Sequence, residues 1–321
     1  MTLDVVVTDK SGRPLPGLQQ QDFTLLDNKQ PQKIVSFHSV EGGTATADPT
    51  VEVILLVDEV NTTLSKVAFE RIEIEKFLRR NGGELARPVS MVFLSDSGVM
   101  VGNTSSQDGN AIIADLKQKK LGLRSIGRSQ GFYGANDRLH LSLHTLERLA
   151  DYEAAKPGRK LVVWISPGWP LLSGPGVEMT PKQRQGLFKS IVAVSDGLRR
   201  ARITLYAVDP LGADDSVGFR TSAYKGFLKP VRKAGQVQLG HVALQVLAYQ
   251  SGGRVLNSNN DVTGEIEACV ADASAFYVLS FDGLAGDSPN EYHALEIKID
   301  KPGLKARTRS GYYAQPEHYQ Q

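Results

Sequence analysis

Short apolar runs alternate with amphipathic helical patterns between residues 51 and 272 of this chain. Each apolar run has the length of a strand, and the first of them, Val53–Val57, contains no polar side chain. Such a strand is buried on both faces, which is typical of a parallel sheet covered by helices on both sides. The alternation therefore predicts an α/β fold built on a doubly wound, mostly parallel sheet.

The pattern also predicts where the elements of this central block lie. Thr180 before Pro181, with Gln183 at the third helical position, is typical of a helix start. Strands are expected at residues 51–57, 88–95, 160–166, 202–208 and 254–256. Helices are expected at about residues 64–80, 109–119, 137–152, 181–200, 240–251 and 261–272.

Both ends of the chain have strand patterns instead. They lie at residues 3–8, 23–26 and 33–37 near the start, and at 276–280, 292–299 and 304–309 near the end. Neither group has enough strands to form a stable sheet pair alone. We therefore expect one small β-sandwich made from both chain ends, with the α/β domain inserted into it. The expected boundaries are 1–46 and 274–316 for the sandwich and 50–273 for the inserted domain.

Composition excludes several classes of protein. Lys and Arg total 37 against 35 Asp and Glu, so a net charge of +2 gives no support for nucleic-acid binding. The one cysteine, Cys269, rules out an internal disulfide framework. No apolar run reaches the roughly 18 residues of a membrane span. The first residues read as a strand without a signal peptide, so we expect either a cytoplasmic protein or an export signal outside this sequence.

Polar side chains follow the first strand of the central block directly. Asp58 stands where the backbone leaves the sheet, and Asn61 and Thr62 add further oxygen atoms within one turn. Ligand sites in open α/β sheets lie at the carboxyl ends of the strands. Asp58 also has a simpler interpretation as the cap of the helix that follows. The strand end therefore predicts either a metal or ligand site or a capping residue.

Several segments, in this order and spacing, resemble proteins of one family. They are the Asp9–Phe37 segment with its Gly, Pro and Asp-Phe pattern, Leu-Leu-Val-Asp at 55–58, Gly-Arg-Lys-Leu-Val-Val-Trp-Ile-Ser-Pro-Gly-Trp-Pro at 158–170, Ile-Thr-Leu-Tyr-Ala-Val-Asp-Pro at 203–210, and Phe-Tyr-Val-Leu-Ser-Phe at 276–281. The chain is similar over nearly its full length to von Willebrand factor A-related proteins of the Acidobacterial type. The resemblance implies a Rossmann-like domain that binds proteins or other ligands outside the cytoplasm.

The resemblance also implies a divalent cation, Mg²⁺ or alternatively Mn²⁺ or Ca²⁺, held by oxygen ligands. Asp58 matches the first Asp of the family's site and Thr62 its last hydroxyl, with Asn61 adjacent and Asp137 a candidate from a second loop. Val60 replaces a ligating Ser, and Pro167 replaces a ligating Asp. The resemblance therefore predicts a degenerate cation site.

Three loops are expected at the carboxyl edge, over residues 119–135, 168–179 and 211–239. Two of them are rich in positive charge, which indicates an anionic or carboxylate-bearing partner. A solvated, mobile rim is the competing interpretation. The candidate ligand-binding residues are Arg124, Arg128, Ser166, Arg232 and Lys233.

Together these features predict a non-catalytic, adhesion-type module that binds a protein. The alternative is an enzyme, either with a metal-dependent activity at Asp58 or with Ser129 as a hydrolase nucleophile. Ser129 lies in Gly-x-Ser-x-Gly, with Asp209 and His241 following in the chain order of a triad. Its neighbours are loop residues rather than a strand and a helix, so the pattern favours the binding module. A third interpretation is an assembly domain whose site has decayed.

Overall fold

A computed structural model describes most of the chain, and its helices have bounds close to the predicted ones. The described residues are 1–42, 50–102, 105–119, 131–171, 178–210, 223–257 and 260–317. The α-helices among them are α1 (Leu64–Leu78), α2 (Gly109–Gln118), α3 (Gly131–Ala154), α4 (Pro181–Arg200), α5 (Leu244–Gln250) and α6 (Val262–Val270).

The strands fall into three groups along the chain. The first group is β1 (Thr2–Thr8), β2 (Phe23–Asp27), β3 (Gln30–Gln32) and β4 (Ser36–Glu41). The second is β5 (Val51–Asp58), β6 (Glu84–Ser95), β7 (Gly98–Val101), β8 (Ser106–Asp108), β9 (Arg159–Ile165), β10 (Ile203–Val208) and β11 (Val255–Leu256). The third is β12 (Ala275–Ser280), β13 (Glu291–Ile299), β14 (Lys305–Arg307) and β15 (Gly311–Ala314).

The second group forms the central sheet. Its strand order is β11-β10-β9-β5-β6-β7, and β8 pairs with β6 outside this path. The pairs β10–β11, β9–β10, β5–β9 and β5–β6 are parallel, whereas β7 and β8 run antiparallel to β6. The predicted mixed α/β architecture with a parallel-strand sheet is therefore confirmed. The described strands place β5 in the middle of the sheet.

Helices cover both faces of this sheet. Because side chains alternate along a strand, Ile54 and Leu56 of β5 pack into the cluster that includes α3, α4 and α5. Val53 and Leu55 enter the opposite cluster, which includes α1, α2 and α6. Both clusters consist of fully buried aliphatic and aromatic residues, which explains why the Val53–Val57 segment contains no polar side chain.

The first and third groups of strands form two antiparallel four-stranded sheets. Their orders are β14-β1-β12-β4 and β15-β13-β2-β3, so each sheet combines strands from both chain ends. A third apolar cluster joins them, with Val5 and Leu279 from one sheet packed together with Leu25 and Leu295 from the other. The proposed domain boundaries at 46, 50, 273 and 316 stay predictions.

Several local expectations differ from the structure, and the short strands β3 and β15 were not predicted. The strand predicted at residues 33–37 lies later, because β4 pairs with β12 from Ser36 to Glu41 while the Val35 side chain is 57% exposed. The antiparallel strands β7 and β8 were not predicted. They are only four and three residues long, and their polar and glycine content hides the period of a strand.

Candidate functional site

Asp58 lies at the carboxyl end of β5 and is completely buried. Each oxygen of its carboxylate accepts two hydrogen bonds. Oδ1 accepts from the backbone N–H groups of Val60 at 3.0 Å and Asn61 at 2.9 Å. Oδ2 accepts from Asn61 Nδ2 at 2.8 Å and from Trp164 Nε1 at 3.0 Å. The carboxylate therefore stabilises the turn after β5, residues 58–61, which we call the Asp58 turn, and connects it to β9.

Asn61 extends this network to α3. Its amide nitrogen donates to the Ser142 hydroxyl at 3.0 Å as well as to Asp58, and Ser142 donates to the Arg138 carbonyl at 2.8 Å. The amide must turn its NH₂ group toward Asp58, since its carbonyl oxygen would repel the carboxylate there. Asn61 is 4% exposed and Ser142 is fully buried. The turn is thus fixed on two sides by buried polar contacts.

The interpretation of Asp58 as the cap of the following helix is wrong. The N-cap of α1 is Thr63, whose hydroxyl accepts from the Lys66 N–H at 3.4 Å. Asp58 instead caps the tight turn at Val60 and Asn61, in the manner of an Asx turn. Its role in the described structure is local folding of the strand end.

The residues at this turn do not fit the divalent cation that the resemblance implies. Mg²⁺ takes a near-octahedral shell of oxygen atoms at about 2.1 Å. Both oxygens of Asp58 already accept N–H donors, and Asn61 presents NH₂ rather than oxygen to it. The indole of Trp164 occupies a further position beside Oδ2. Val60 and Pro167 contribute no side-chain oxygen, so a cation would have to displace N–H donors from Asp58 at a turn that lacks these two ligands.

Asp137 and Thr62 differ in where the structure places them. Thr62 is 1% exposed beside the buried turn, whereas Asp137 lies on the exposed side of α3. It is Arg138 and Ser142, one helical turn apart, that face the protein interior. Across the described ranges, no cluster of three or more His, Cys, Asp or Glu side chains is arranged to hold a metal ion.

Two residues that complete the turn were not predicted from the sequence. Trp164 stands opposite Leu56 in the pairing of β5 with β9, so its indole lies beside the end of β5. A buried Trp usually donates its N–H to an acceptor. If the pairing of β5 with β9 had been predicted, Trp164 could therefore have been recognised as a partner of Asp58. Ser142 offered no comparable signal, because its position depends on how α3 packs on the sheet.

Ser166 follows β9 and is fully buried. Its backbone N–H donates to the Val208 carbonyl at 2.8 Å, and its hydroxyl accepts from the Gly168 N–H at 3.0 Å. Gly168 has φ of +83°, which glycine adopts readily. A ligand would reach the Ser166 hydroxyl only after this turn had opened.

Arg232 and Lys233 line an open cavity of about 260 Å³, which we call the basic groove. Its floor contains two buried aromatic side chains, Phe188 from α4 and Tyr292 from β13. The other lining residues are Gln185, Ala234, Ser288, Pro289, Asn290 and Glu291. The lining includes none of the residues at the Asp58 turn, so the structure does not bring these two groups of predicted residues into one pocket.

Side-chain hydrogen bonds hold the two walls of the basic groove. Tyr313 donates its hydroxyl to the Val231 carbonyl at 2.9 Å, and the Arg232 N–H donates to Gln236 Oε1 at 3.1 Å. On the opposite wall, the Gln315 amide donates to Asn290 Oδ1 at 2.6 Å. Arg232 and Lys233 are exposed, and neither forms an ion pair with any residue that the structure describes.

The floor of the basic groove stays uncharged at neutral pH. Burial raises the pKa of the Tyr292 hydroxyl to about 12, although the Ser310 hydroxyl and the positive charges of Arg309 and Arg232 act to lower it. The groove therefore combines two cationic side chains with a neutral aromatic surface. This combination suits a ligand that carries a carboxylate next to apolar groups.

The remaining candidate residues, Arg124, Arg128 and Ser129, lie outside the described residues, so their roles stay predictions. For the hydrolase alternative, the structure describes the other two members of the suggested triad, Asp209 and His241. The Asp209 N–H donates to the Leu256 carbonyl at 2.9 Å. His241 Nδ1 is 3.0 Å from the Gln238 backbone N–H, and burial lowers the pKa of this imidazole. His241 therefore caps a short 3₁₀ turn.

Comparison with known proteins identifies no family. No protein-family model matches the chain, and no curated protein matches its sequence. No helix among the described residues has the length and apolar character to cross a bilayer.

Solved structures show distant likenesses. One is the pilus adhesin SpaC from Lactobacillus rhamnosus GG in its open conformation, with 10% identity, 94% of this chain and 49% of that chain covered, and a TM-score of 0.40. The human COPII-coat protein Sec24c matches at 8% identity, with 83% and 44% covered and a TM-score of 0.33. The SpRpn10 VWA domain matches at 12% identity, with 67% and 92% covered and a TM-score of 0.30.

The chain spans about half of the length of the adhesin chain that it matches. At these identities and TM-scores, the likenesses decide neither the family nor the function.

Proposed function

We propose that this chain is a non-catalytic, adhesion-type module that binds a carboxylate-bearing segment of a partner protein without a bound cation. We further propose a von Willebrand A-like domain inserted into a β-sandwich, acting outside the cytoplasm. Two observations support the insertion: the central sheet is mainly parallel, and both small sheets combine strands from the two chain ends. The module binds through the basic groove.

The observation that carries this proposal is the pair of cations above an aromatic floor. Arg232 offers a planar guanidinium that can hold a carboxylate through two parallel hydrogen bonds, and Lys233 adds a second positive charge. Phe188 and Tyr292 provide apolar surface below them. Arg232 and Lys233 form no ion pair with a described residue, so both remain available to an acidic partner, and the Glu291 carboxylate in the same lining offsets part of their attraction.

The Asp58 turn supports recognition without a metal. In the family that the chain resembles, a cation at this turn attracts the acidic group of the ligand. Here the Asp58 carboxylate is buried and accepts hydrogen bonds from four N–H donors. We propose that the positive charge for an acidic ligand comes from Arg232 and Lys233 instead.

Reversing both charges tests the basic groove directly. Arg232→Glu with Lys233→Glu is expected to weaken binding of an oligoglutamate peptide with blocked ends by about tenfold or more, since each charged hydrogen bond contributes about 1.5–3 kcal/mol. Isothermal titration measures the affinity. An oligoglutamine peptide is expected to bind weakly to both proteins.

The matched control reverses two cations of the same connection that do not line the groove. Lys225→Glu with Lys229→Glu changes the net charge equally, and both side chains are exposed. We expect the control to keep most of the peptide affinity. Equal loss in the two double variants would mean that net charge alone attracts the peptide, and the basic groove would have no specific role.

A further inference from the structure

A second cavity lies at the edge of the central sheet, between α2 and the strands β6 and β7. We call it the edge groove. Its volume is about 190 Å³, larger than the engineered cavity of about 150 Å³ that binds benzene in another protein. Most of its lining is apolar and consists of Val89, Met91, Phe93, Met100, Val101, Ile112 and Leu116.

Three polar residues, Ser90, Asp115 and Lys119, also line the edge groove, and Lys119 supplies its positive charge. The Nζ of Lys119 lies 2.6 Å from Met100 Sδ and 4.9 Å from the centre of the Phe93 ring. A thioether is a weak acceptor, and Lys119 forms no ion pair with the residues that the structure describes. Lys117, two residues earlier, has its Nζ 3.1 Å from Glu75 Oε1 instead. Lys119 is thus a cation placed against apolar surface.

Backbone contacts hold Lys119 at this position. The Arg71 guanidinium donates to the Lys119 carbonyl at 2.6 Å and also to the Leu116 carbonyl. The Lys119 N–H donates to the Asp115 carbonyl at 3.1 Å. On the opposite wall, a side chain at Gly102 would place its Cβ 2.7 Å from the Met91 carbonyl oxygen, so this part of the chain packs tightly on β6. Both walls of the groove are therefore well anchored.

We propose that the edge groove binds an aliphatic monocarboxylate of medium chain length. The alkyl chain lies among Met91, Phe93, Met100 and Leu116, where the flexible methionines adapt to its shape. The carboxylate accepts a charged hydrogen bond from Lys119 Nζ. Asp115 also lines the groove, and its negative charge acts against any carboxylate there, more strongly against a ligand with two carboxylates than against a monocarboxylate. The lining shares no residue with the basic groove, so this site is independent of the proposed function.

The four methionines of the chain provide the readout. Met91 and Met100 line the groove, whereas Met1 and Met179 do not. Octanoate, kept below its micelle-forming concentration, is added to the full chain with ¹³C-labelled methionine methyl groups. We expect saturable shifts of the Met91 and Met100 signals, with Met1 and Met179 unchanged. No saturable shift, or equal shifts of all four signals, would overturn the proposal.

Variants of the two lysines test the role of the ammonium group. Lys119→Met keeps the side-chain length and is expected to weaken octanoate binding about tenfold or more while leaving the affinity for the neutral octanamide unchanged. Lys117→Met, the matched control, is expected to bind octanoate as the parent does. If Lys119→Met lowered the affinity for octanoate and for octanamide equally, the ammonium group would not recognise the carboxylate, and the proposal would be refuted.

A third variant keeps the test decisive if Lys119→Met disturbs the helix end. Met100 is 50% exposed, so Met100→Glu is expected to fold and to place a carboxylate beside Lys119. This internal carboxylate competes with the ligand, and we expect octanoate binding to be lost. Octanoate affinity equal to that of the parent would contradict the proposal.

Discussion

Asp58→Ala is expected to destabilise the chain by about 4 kcal/mol, in the upper range for a single substitution. The change leaves four N–H bonds without an acceptor: the backbone N–H groups of Val60 and Asn61, one N–H of the Asn61 amide and the Trp164 indole N–H. All of them are in a region from which water is excluded, because Asp58 and Trp164 are fully buried and Asn61 nearly so. Urea unfolding followed by far-UV circular dichroism measures the loss.

Two further variants separate the hydrogen bonds from other effects. Asp58→Asn keeps one acceptor for the backbone N–H groups. Its own NH₂ group, however, lies next to the NH₂ group of Asn61 and the indole N–H of Trp164. We expect an intermediate loss of stability for it. Asp282→Ala removes an exposed carboxylate and is expected to change stability by less than about 0.5 kcal/mol. If Asp58→Ala matched this control, the turn would not depend on the Asp58 carboxylate.

Asp272→Ala is expected to cost about 3–5 kcal/mol, because it leaves a largely buried arginine without its partner. Asp272 Oδ2 accepts from Arg307 Nη2 at 2.5 Å and from the Tyr206 hydroxyl at 2.7 Å. Burial acts to lower the pKa of Arg307, while its contacts with Tyr206 and Asp272 raise it above its usual value. Urea unfolding at neutral pH measures the effect.

The Asp272 contacts link two parts of the chain, since Tyr206 belongs to the central sheet and Arg307 to β14 of a small sheet. We therefore expect the small sheets to lose protection from amide hydrogen exchange together with the edge of the central sheet. Arg307→Met with Asp272→Ala removes both charges and is expected to recover part of the stability of the single variant. No recovery would show that the loss in Asp272→Ala does not come from the unpaired arginine.

The order of the central elements was predictable because the hydrophobic patterns there are strong. The Val53–Val57 run marks a strand buried on both faces, and β5 is indeed central. The position of Asp58 at the strand end followed from the same pattern. Its partners did not, since Trp164 and Ser142 are distant in sequence and reach Asp58 or Asn61 only through tertiary packing.

The burial of the Asp58 turn is the main difference from the sequence-based expectation. The sequence predicted a metal or ligand site, or a helix cap, at Asp58. In the structure, both carboxylate oxygens accept hydrogen bonds inside the protein, so Asp58→Ala is expected to act on stability. Arg232 and Lys233 were predicted from charge alone, and the aromatic floor beneath them becomes visible only when α4 and β13 are brought together.

Titration of oligoglutamate into the full chain, with EDTA in one buffer and Mg²⁺ in the other, tests recognition without a cation most directly. The ionic strength of the two buffers is matched, because salt screens the attraction between exposed charges. We expect the same affinity and stoichiometry for oligoglutamate in both buffers, and loss of binding in the variant that combines Arg232→Glu with Lys233→Glu. Binding that requires Mg²⁺, or no binding in either buffer, would contradict it.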